Sequence, residues 1–142
     1  MFIDQISVFL ANQTGRLADV TAVLARESID VRAMSLAETE EYGVLRMIVD
    51  DPTRAVEKLR QAGVAVRVTP VIAARFDDEP GAMAKVLKTL NDACISVTYA
   101  YAFISPVGGG AAAVLRTNDC GRAAAVLTEK GIELMKAEDI HK

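Results

Sequence analysis

The sequence contains an internal repeat, and this feature limits the possible folds more than any other. Gly15 and Gly81 lie 66 residues apart, and the same offset aligns the apolar residues around them. After residue 42, an offset of 68 aligns Asp51 with Asp119. The two additional residues of the second copy fall in a glycine-rich turn, where an insertion has a small entropic cost. The chain of 142 residues is therefore predicted to be a tandem duplication of a unit of about 70 residues.

Each copy shows the same order of strand and helix patterns. A short apolar run ends in a polar turn, a glycine opens an amphipathic helical pattern, and two strand-like runs follow. A second helical pattern and a short closing strand complete the order βαββαβ. The predicted strands are 3–10, 29–37, 43–50 and 64–69 in the first copy, and 71–77, 95–104, 111–117 and 132–136 in the second.

The helical patterns have recognisable starts, ends and apolar faces. In the first helices the apolar face is formed by Leu17, Val20, Val23 and Leu24, and in the second copy by Met83, Val86, Leu87 and Leu90. The second helices are predicted to start at Asp51-Pro52 and at Asn118-Asp119, because aspartate is a good N-cap. Gly63 and Gly131 follow their ends, where a left-handed C-cap favours glycine.

These patterns predict an α+β protein with two tandem ferredoxin-like βαββαβ units, each with an antiparallel sheet and its helices on one face. The expected units are residues 1–69 and 70–142. A domain of this size buries only about 60% of the surface of its unfolded chain. We therefore expect the two repeats to pack on each other and the chain to form a homodimer.

The composition argues against several functional classes. A net charge of −3 does not fit a nucleic-acid binder, which normally carries a basic stripe. The single histidine and two cysteines make histidine-dependent catalysis and a metal site of histidine and cysteine improbable, so no enzyme, metal or cofactor is expected. The apolar runs are far shorter than the roughly 20 residues of a membrane helix, and the N-terminus does not resemble a signal peptide. We expect a cytoplasmic protein without a membrane partner.

The turn between the first strand and the first helix is the best candidate for a binding site in each copy. The two turns read Asn12-Gln13-Thr14-Gly15-Arg16-Leu17 and Asp78-Glu79-Pro80-Gly81-Ala82-Met83. A glycine at a helix start leaves backbone N–H groups unpaired at the positive end of the helix dipole, which suits a carboxylate. In the alternative interpretation, the glycine only permits the turn and Asn12 or Asp78 caps the helix.

With this motif, of the form Asn-x-x-Gly-x-Leu, the βαββαβ order resembles the ACT domain across essentially the whole chain. This small regulatory module occurs in aspartate kinase, in chorismate-pathway enzymes and in phosphoglycerate dehydrogenase. The resemblance implies a non-enzymatic protein that binds a free amino acid as its effector and regulates a protein target. It also implies that the amino acid lies between the turn of one unit and the second strand of its neighbour. The strand residues implied in this way are Asp30, Val31, Ser96 and Val97.

The two copies depart from the family pattern in different ways. The usual asparagine is retained as Asn12 but is Asp78 in the second turn, and the usual proline is Pro80 but Thr14 in the first. If the repeats share sites reciprocally, Asn12 would face Ser96, a neutral pair that accepts a zwitterion. Asp78 and Glu79 would instead face Asp30, and three carboxylates repel the carboxylate of a ligand. The turn at Asn12 is therefore predicted to be the better site.

Other readings remain open from the sequence. Tyr99, Tyr101 and Phe103 alternate on one strand and could stack on RNA bases, but the third strand carries no aromatic residue and packing is the simpler explanation. Residues 108–110 form a glycine run without the lysine of a phosphate-binding loop. The carboxylate pairs at 40–41, 50–51 and 77–78 are adjacent in sequence, which does not favour catalysis or metal binding. A module that pairs with another polypeptide, without a small ligand, is the main alternative function.

Overall fold

The chain divides into two compact units. The computed structural model describes residues 2–11, 13–38, 41–104 and 109–140. The first unit comprises residues 4–69 together with Ile140, and the second comprises residues 70–139 together with residues 2–3. None of the helices in the described part of the chain has the length and apolar character needed to span a membrane.

The first unit is a three-stranded antiparallel sheet with two helices. Its elements are β1 (Ile3–Ala11), α1 (Arg16–Arg26), β2 (Val31–Glu38), β3 (Tyr42–Val49) and α2 (Pro52–Gln61). The strand order is β2-β3-β1, with Ile6 opposite Met47. Helices α1 and α2 pack together on one face, where they enclose a core that includes Val20, Leu24 and Leu59.

The second unit repeats this arrangement. Its elements are β4 (Val66–Phe76), α3 (Ala82–Asp92), β5 (Val97–Ile104), β6 (Ala111–Thr117), α4 (Cys120–Glu129) and α5 (Ala137–Ile140). Residues 66–69 of β4 and the last residue of α5 belong to the first unit. The order is β4-β6-β5, and Ile72 lies opposite Leu115 at the register that the repeat offsets give for the first unit. Both units are therefore antiparallel ferredoxin-like arrangements of the α+β class, which confirms the predicted fold class.

The closing strands differ from the prediction. Residues 64–69 and 71–77 were predicted as separate strands, but residues 66–76 form the single strand β4. Pro70 is compatible with this strand because proline can adopt an extended backbone conformation. The strand loses only one N–H donor at that position. In the second unit the predicted strand 132–136 is reduced to one bridge, between Ala74 and Leu134. The short helix α5 that follows was not predicted.

A backbone hydrogen bond nevertheless repeats at the two closing segments. The Phe9 amide donates to the Ala65 carbonyl at 3.2 Å, and the Arg75 amide donates to the Glu133 carbonyl at 2.8 Å. These are the same positions in the two repeats. The residues after α2 and α4 therefore lie beside the first strand of their unit, close to the turn that precedes the first helix.

The apolar faces of the first helices are placed as predicted except at Leu87. Val20, Val23 and Leu24 of α1 are buried, and Val86 and Leu90 of α3 are buried in the second core. Leu87, which was assigned to the apolar face of α3, is 37% exposed. It is adjacent to Val86 in sequence, so at 100° per residue it lies at the margin of the buried stripe.

The N-caps of α2 and α4 are confirmed, and their removal is the first testable consequence. Asp51 accepts a hydrogen bond from the Arg54 amide at 3.2 Å, and Asp119 accepts one from the Arg122 amide at 3.0 Å. We expect Asp119→Ala to lower the free energy of unfolding by about 1 kcal/mol, because the amide loses its partner. Urea denaturation measures this change.

Asp119→Asn is the matched control for the cap. Asparagine retains an acceptor oxygen and caps as well as aspartate does, so the free energy of unfolding should stay close to that of the wild type. An equal loss in the alanine and asparagine variants would contradict a role for Asp119 as a hydrogen-bonding cap.

Candidate ligand-binding site

The first helix of each unit begins at a glycine with left-handed backbone geometry. Gly15 has φ of 90° and Gly81 has φ of 88°, and each is the N-cap residue of its helix. A Cβ atom at either position would meet nothing within 4 Å. The glycines are therefore required by backbone conformation and not by lack of space, since residues with a Cβ rarely adopt this φ.

The corner before each glycine is built by the same two backbone hydrogen bonds. In the second unit, the Glu79 amide donates to the Asp77 carbonyl at 2.8 Å, and the Ala82 amide donates to the Glu79 carbonyl at 3.2 Å. In the first unit, Gln13 and Arg16 make the equivalent bonds at 2.8 and 3.4 Å. The polar corner predicted from the sequence is thus a repeated element of backbone structure.

The second corner leaves backbone N–H groups without partners. Within the part of the chain that the structure describes, the amides of Met83 and Ala84 make no hydrogen bond. The Asp78 side chain makes none with the described residues either, so it does not cap α3. In the first unit the amides of Leu17 and Ala18 likewise lack a partner among the described residues, whereas Asn12 itself lies outside them.

The start of the second strand is held by a polar residue at the end of the third. The Asp30 amide donates to the Asp50 carboxylate at 2.9 Å, and the Asp50 amide donates back to the Asp30 carbonyl at 3.0 Å. Ser96 and Asn118 make the same reciprocal pair, with both distances 3.1 Å. Asp50 and Asn118 were not predicted as positioning residues, although the repeat offset aligns them and both are polar.

Within one unit, the two halves of the predicted site lie at opposite ends of the sheet. In the first unit, Ala11 at the end of β1 pairs with Tyr42, whereas Val31 at the start of β2 pairs with Val49 at the other end of β3. The corner and the strand start of a single unit therefore do not come together. The predicted site needs the corner of one unit and the strand start of another.

The charges around the predicted site are partly compensated. The Asp30 carboxylate forms an ion pair with Arg32 at 2.9 Å, so it does not add an isolated negative charge as the sequence analysis assumed. The Arg16 guanidinium donates two hydrogen bonds to the Gln13 side chain at 3.0 and 3.2 Å. Asp78 and Glu79 are exposed, and no ion pair to them occurs among the described residues.

The remaining predicted residues lie at the corner or on the strands. A cavity of about 100 Å³ opens beside the first corner, between α1 and the β2–β3 hairpin. Its lining consists of Leu10, Ala11, Gln13, Arg16, Leu17, Leu36 and Gly43. Thr14 and Pro80 are exposed, and Ala82, Met83, Val31 and Val97 are half-buried.

The features that suggested other functions have structural roles. Tyr99, Tyr101 and Phe103 are half-buried on β5, opposite β6 residues that face away from the helices. Asp50 and Asp51 both accept backbone hydrogen bonds. Among the described residues, no group of three or more histidine, cysteine or acidic side chains could hold a metal ion.

Of the glycine run, Gly109 and Gly110 lie directly before β6, whereas Gly108 falls outside the described residues, as does Glu40 of the carboxylate pair at 40–41. Gly109 and Gly110 have positive φ, and a Cβ at Gly110 would approach the Phe76 carbonyl oxygen to 2.9 Å. Glycine is therefore required at position 110, where the backbone closely approaches the end of β4.

Comparisons with known proteins identify related chains. A family model described as an ACT domain pair matches residues 1–142. The crystal structure of protein BT0572 from Bacteroides thetaiotaomicron has 38% sequence identity, covers 100% of this chain and 97% of that chain, and has a TM-score of 0.92. No match was found among curated protein sequences.

More distant likenesses concern the fold alone. The ligand-free regulatory subunit of aspartate kinase from Thermus thermophilus has 15% identity and a TM-score of 0.62, with 89% of this chain and 90% of that chain covered. The corresponding regulatory subunit from Thermus flavus has 14% identity, a TM-score of 0.57 and the same coverage.

Proposed function

The chain belongs to the ACT domain family, as a pair of ACT domains, and from this premise we propose that it is a non-catalytic regulatory module that binds a free amino acid. The ligand would lie between the corner of one ACT unit and the start of the second strand of another. The occupied module would act on a protein target in the cytoplasm, as a homodimer. Such coupling requires that the amino acid has different affinities for two arrangements of the units.

The observation that carries this proposal is that the first turns of α1 and α3 both contain backbone N–H groups without a described partner. In both units a left-handed glycine begins a helix whose first amides have no partner among the described residues. Unpaired N–H groups at the positive end of a helix dipole bind a carboxylate well. Every free amino acid carries a carboxylate, so the corners match the part that all of these ligands share.

The difference between the corners supports unequal affinity. The second corner carries the unpaired carboxylates of Asp78 and Glu79, whereas residues 13–17 of the first corner carry no acidic residue. Repulsion of a ligand carboxylate is therefore expected only at the second corner. We propose that the first corner, with Asn12 and with Ser96 and Val97 of the other unit, is the principal site.

A panel of amino acids tests the proposed function directly. The melting temperature is measured with each common amino acid in turn. A ligand at about 100 times its dissociation constant adds about 2.7 kcal/mol to the free energy of unfolding, which raises the melting temperature by several degrees. Unchanged melting temperatures throughout the panel would contradict amino-acid binding and favour a module that pairs with another polypeptide.

A further inference from the structure

The second unit alone forms a cavity of about 360 Å³, which shares Glu79 and Ala82 with the second corner but not the strand residues of the predicted site. It lies between the end of β4, the first turn of α3 and the segment that follows α4. Val86 and Ile132 contribute apolar surface, and five charged side chains also line the cavity. Those five residues are Arg75, Asp77, Glu79, Lys85 and Glu133.

An equivalent cavity of about 370 Å³ occurs at the same position of the first unit, but its lining is different. Phe9 replaces Arg75, Asp19 replaces Lys85, and alanines occupy the positions of Asp77 and Glu133. The fold thus produces the cavity in both units, whereas most of the charged lining is particular to the second. Because the first unit forms its cavity without these charges, they are not needed to build the fold.

The charges of the second cavity are only partly paired. Arg75 contacts Glu133 at 3.4 Å and also donates to the Gly109 carbonyl at 3.5 Å. Lys85, Asp77 and Glu79 line the same cavity, yet within the described ranges none of their side chains makes an ion pair or hydrogen bond. A cation and two carboxylates therefore border one space without neutralising one another.

We propose that this cavity binds an amino acid with a cationic side chain. The Lys85 ammonium would hold the ligand carboxylate, and Asp77 and Glu79 would hold its two cationic groups. The aliphatic part of the ligand would cover Val86 and Ile132, where its burial is favourable. The lining has three carboxylates against two cations, which favours a net positive ligand over a neutral one. The inference rests on the proposed function for the class of ligand, and its site overlaps the second corner at Glu79 but does not include the first corner.

Lysine binding, measured by isothermal titration calorimetry on the full chain, tests this site. Norleucine has the same carbon skeleton without the side-chain ammonium, and cadaverine has both amines without the carboxylate. Each should bind at least tenfold more weakly than lysine. The variant K85M should weaken lysine binding at least fivefold, and so should D77N combined with E79Q. These side chains are exposed, so the variants are expected to fold, which a thermal melt verifies.

Asp19→Asn is the matched control, because Asp19 occupies the position of Lys85 in the first unit. It should leave lysine affinity unchanged. Equal affinity for lysine and norleucine, or full lysine affinity in K85M, would overturn the inference. Lysine binding that survives K85M but is lost in Gly15→Val would place the ligand at the first corner, so the inference would fail while the proposed function stood. No binding of any amino acid would remove both.

Discussion

Leu127→Ala is expected to lower the free energy of unfolding by about 2–5 kcal/mol. Leu127 lies on α4, is 0% exposed and belongs to the core of the second unit. The substitution removes buried methyl groups and leaves a cavity that the surrounding side chains fill only partly. Leu59 occupies the same position of α2 and is also 0% exposed, so Leu59→Ala should fall in the same range. Urea denaturation of both variants measures these losses.

Leu87→Ala is the control for the size of this effect. Leu87 is also a helical leucine but is 37% exposed, so less apolar surface returns to water and no closed cavity forms. Its loss should therefore remain below about 1 kcal/mol. If Leu87→Ala destabilised the protein as much as Leu127→Ala, the assignment of Leu87 to the margin of the α3 face would be wrong.

Much of the fold was predictable because each local sequence pattern occurs twice, at matching positions of the two copies. An aspartate before a helical pattern is a weak signal alone, but Asp51 and Asp119 occur at matching positions, and both are N-caps. The closing segments were less predictable. Residues 64–69 and 71–77 were predicted as separate strands on either side of Pro70, whereas the extended backbone continues through it. Strand length depends on pairing partners that a local pattern does not contain.

The candidate site was predictable only in part. The corners at Gly15 and Gly81 follow from local sequence, because few residues other than glycine adopt this backbone conformation. The ion pair of Asp30 with Arg32 was not foreseen, although residues two apart on a strand point to the same face. Asp30 lies directly before β2, so the pair forms at the start of that strand. Local charge counting therefore overestimated the negative charge at this strand start.

Gly15→Val is expected to weaken amino-acid binding at least tenfold, under the proposed function. A β-branched residue does not tolerate φ of 90°, so the corner must change its backbone conformation and the open amides of α1 lose their alignment. Calorimetric titration with the amino acid that raises the melting temperature most measures the loss. Gly81→Val should have a smaller effect on the same ligand, because the acidic second corner is expected to contribute less.

Gly63→Val is the control that distinguishes loss of the binding site in Gly15→Val from the effect of left-handed backbone strain on the whole protein. Gly63 has φ of 81°, and a Cβ there also meets nothing within 4 Å, but it follows the end of α2 and is not at a helix start. Both variants should therefore lose a similar free energy of unfolding, roughly 1–2 kcal/mol, from left-handed strain alone. Only Gly15→Val should lose affinity. Equal losses of affinity in the two variants would attribute the effect to strain, and the open amides of the first corner would then have no special role in holding a carboxylate.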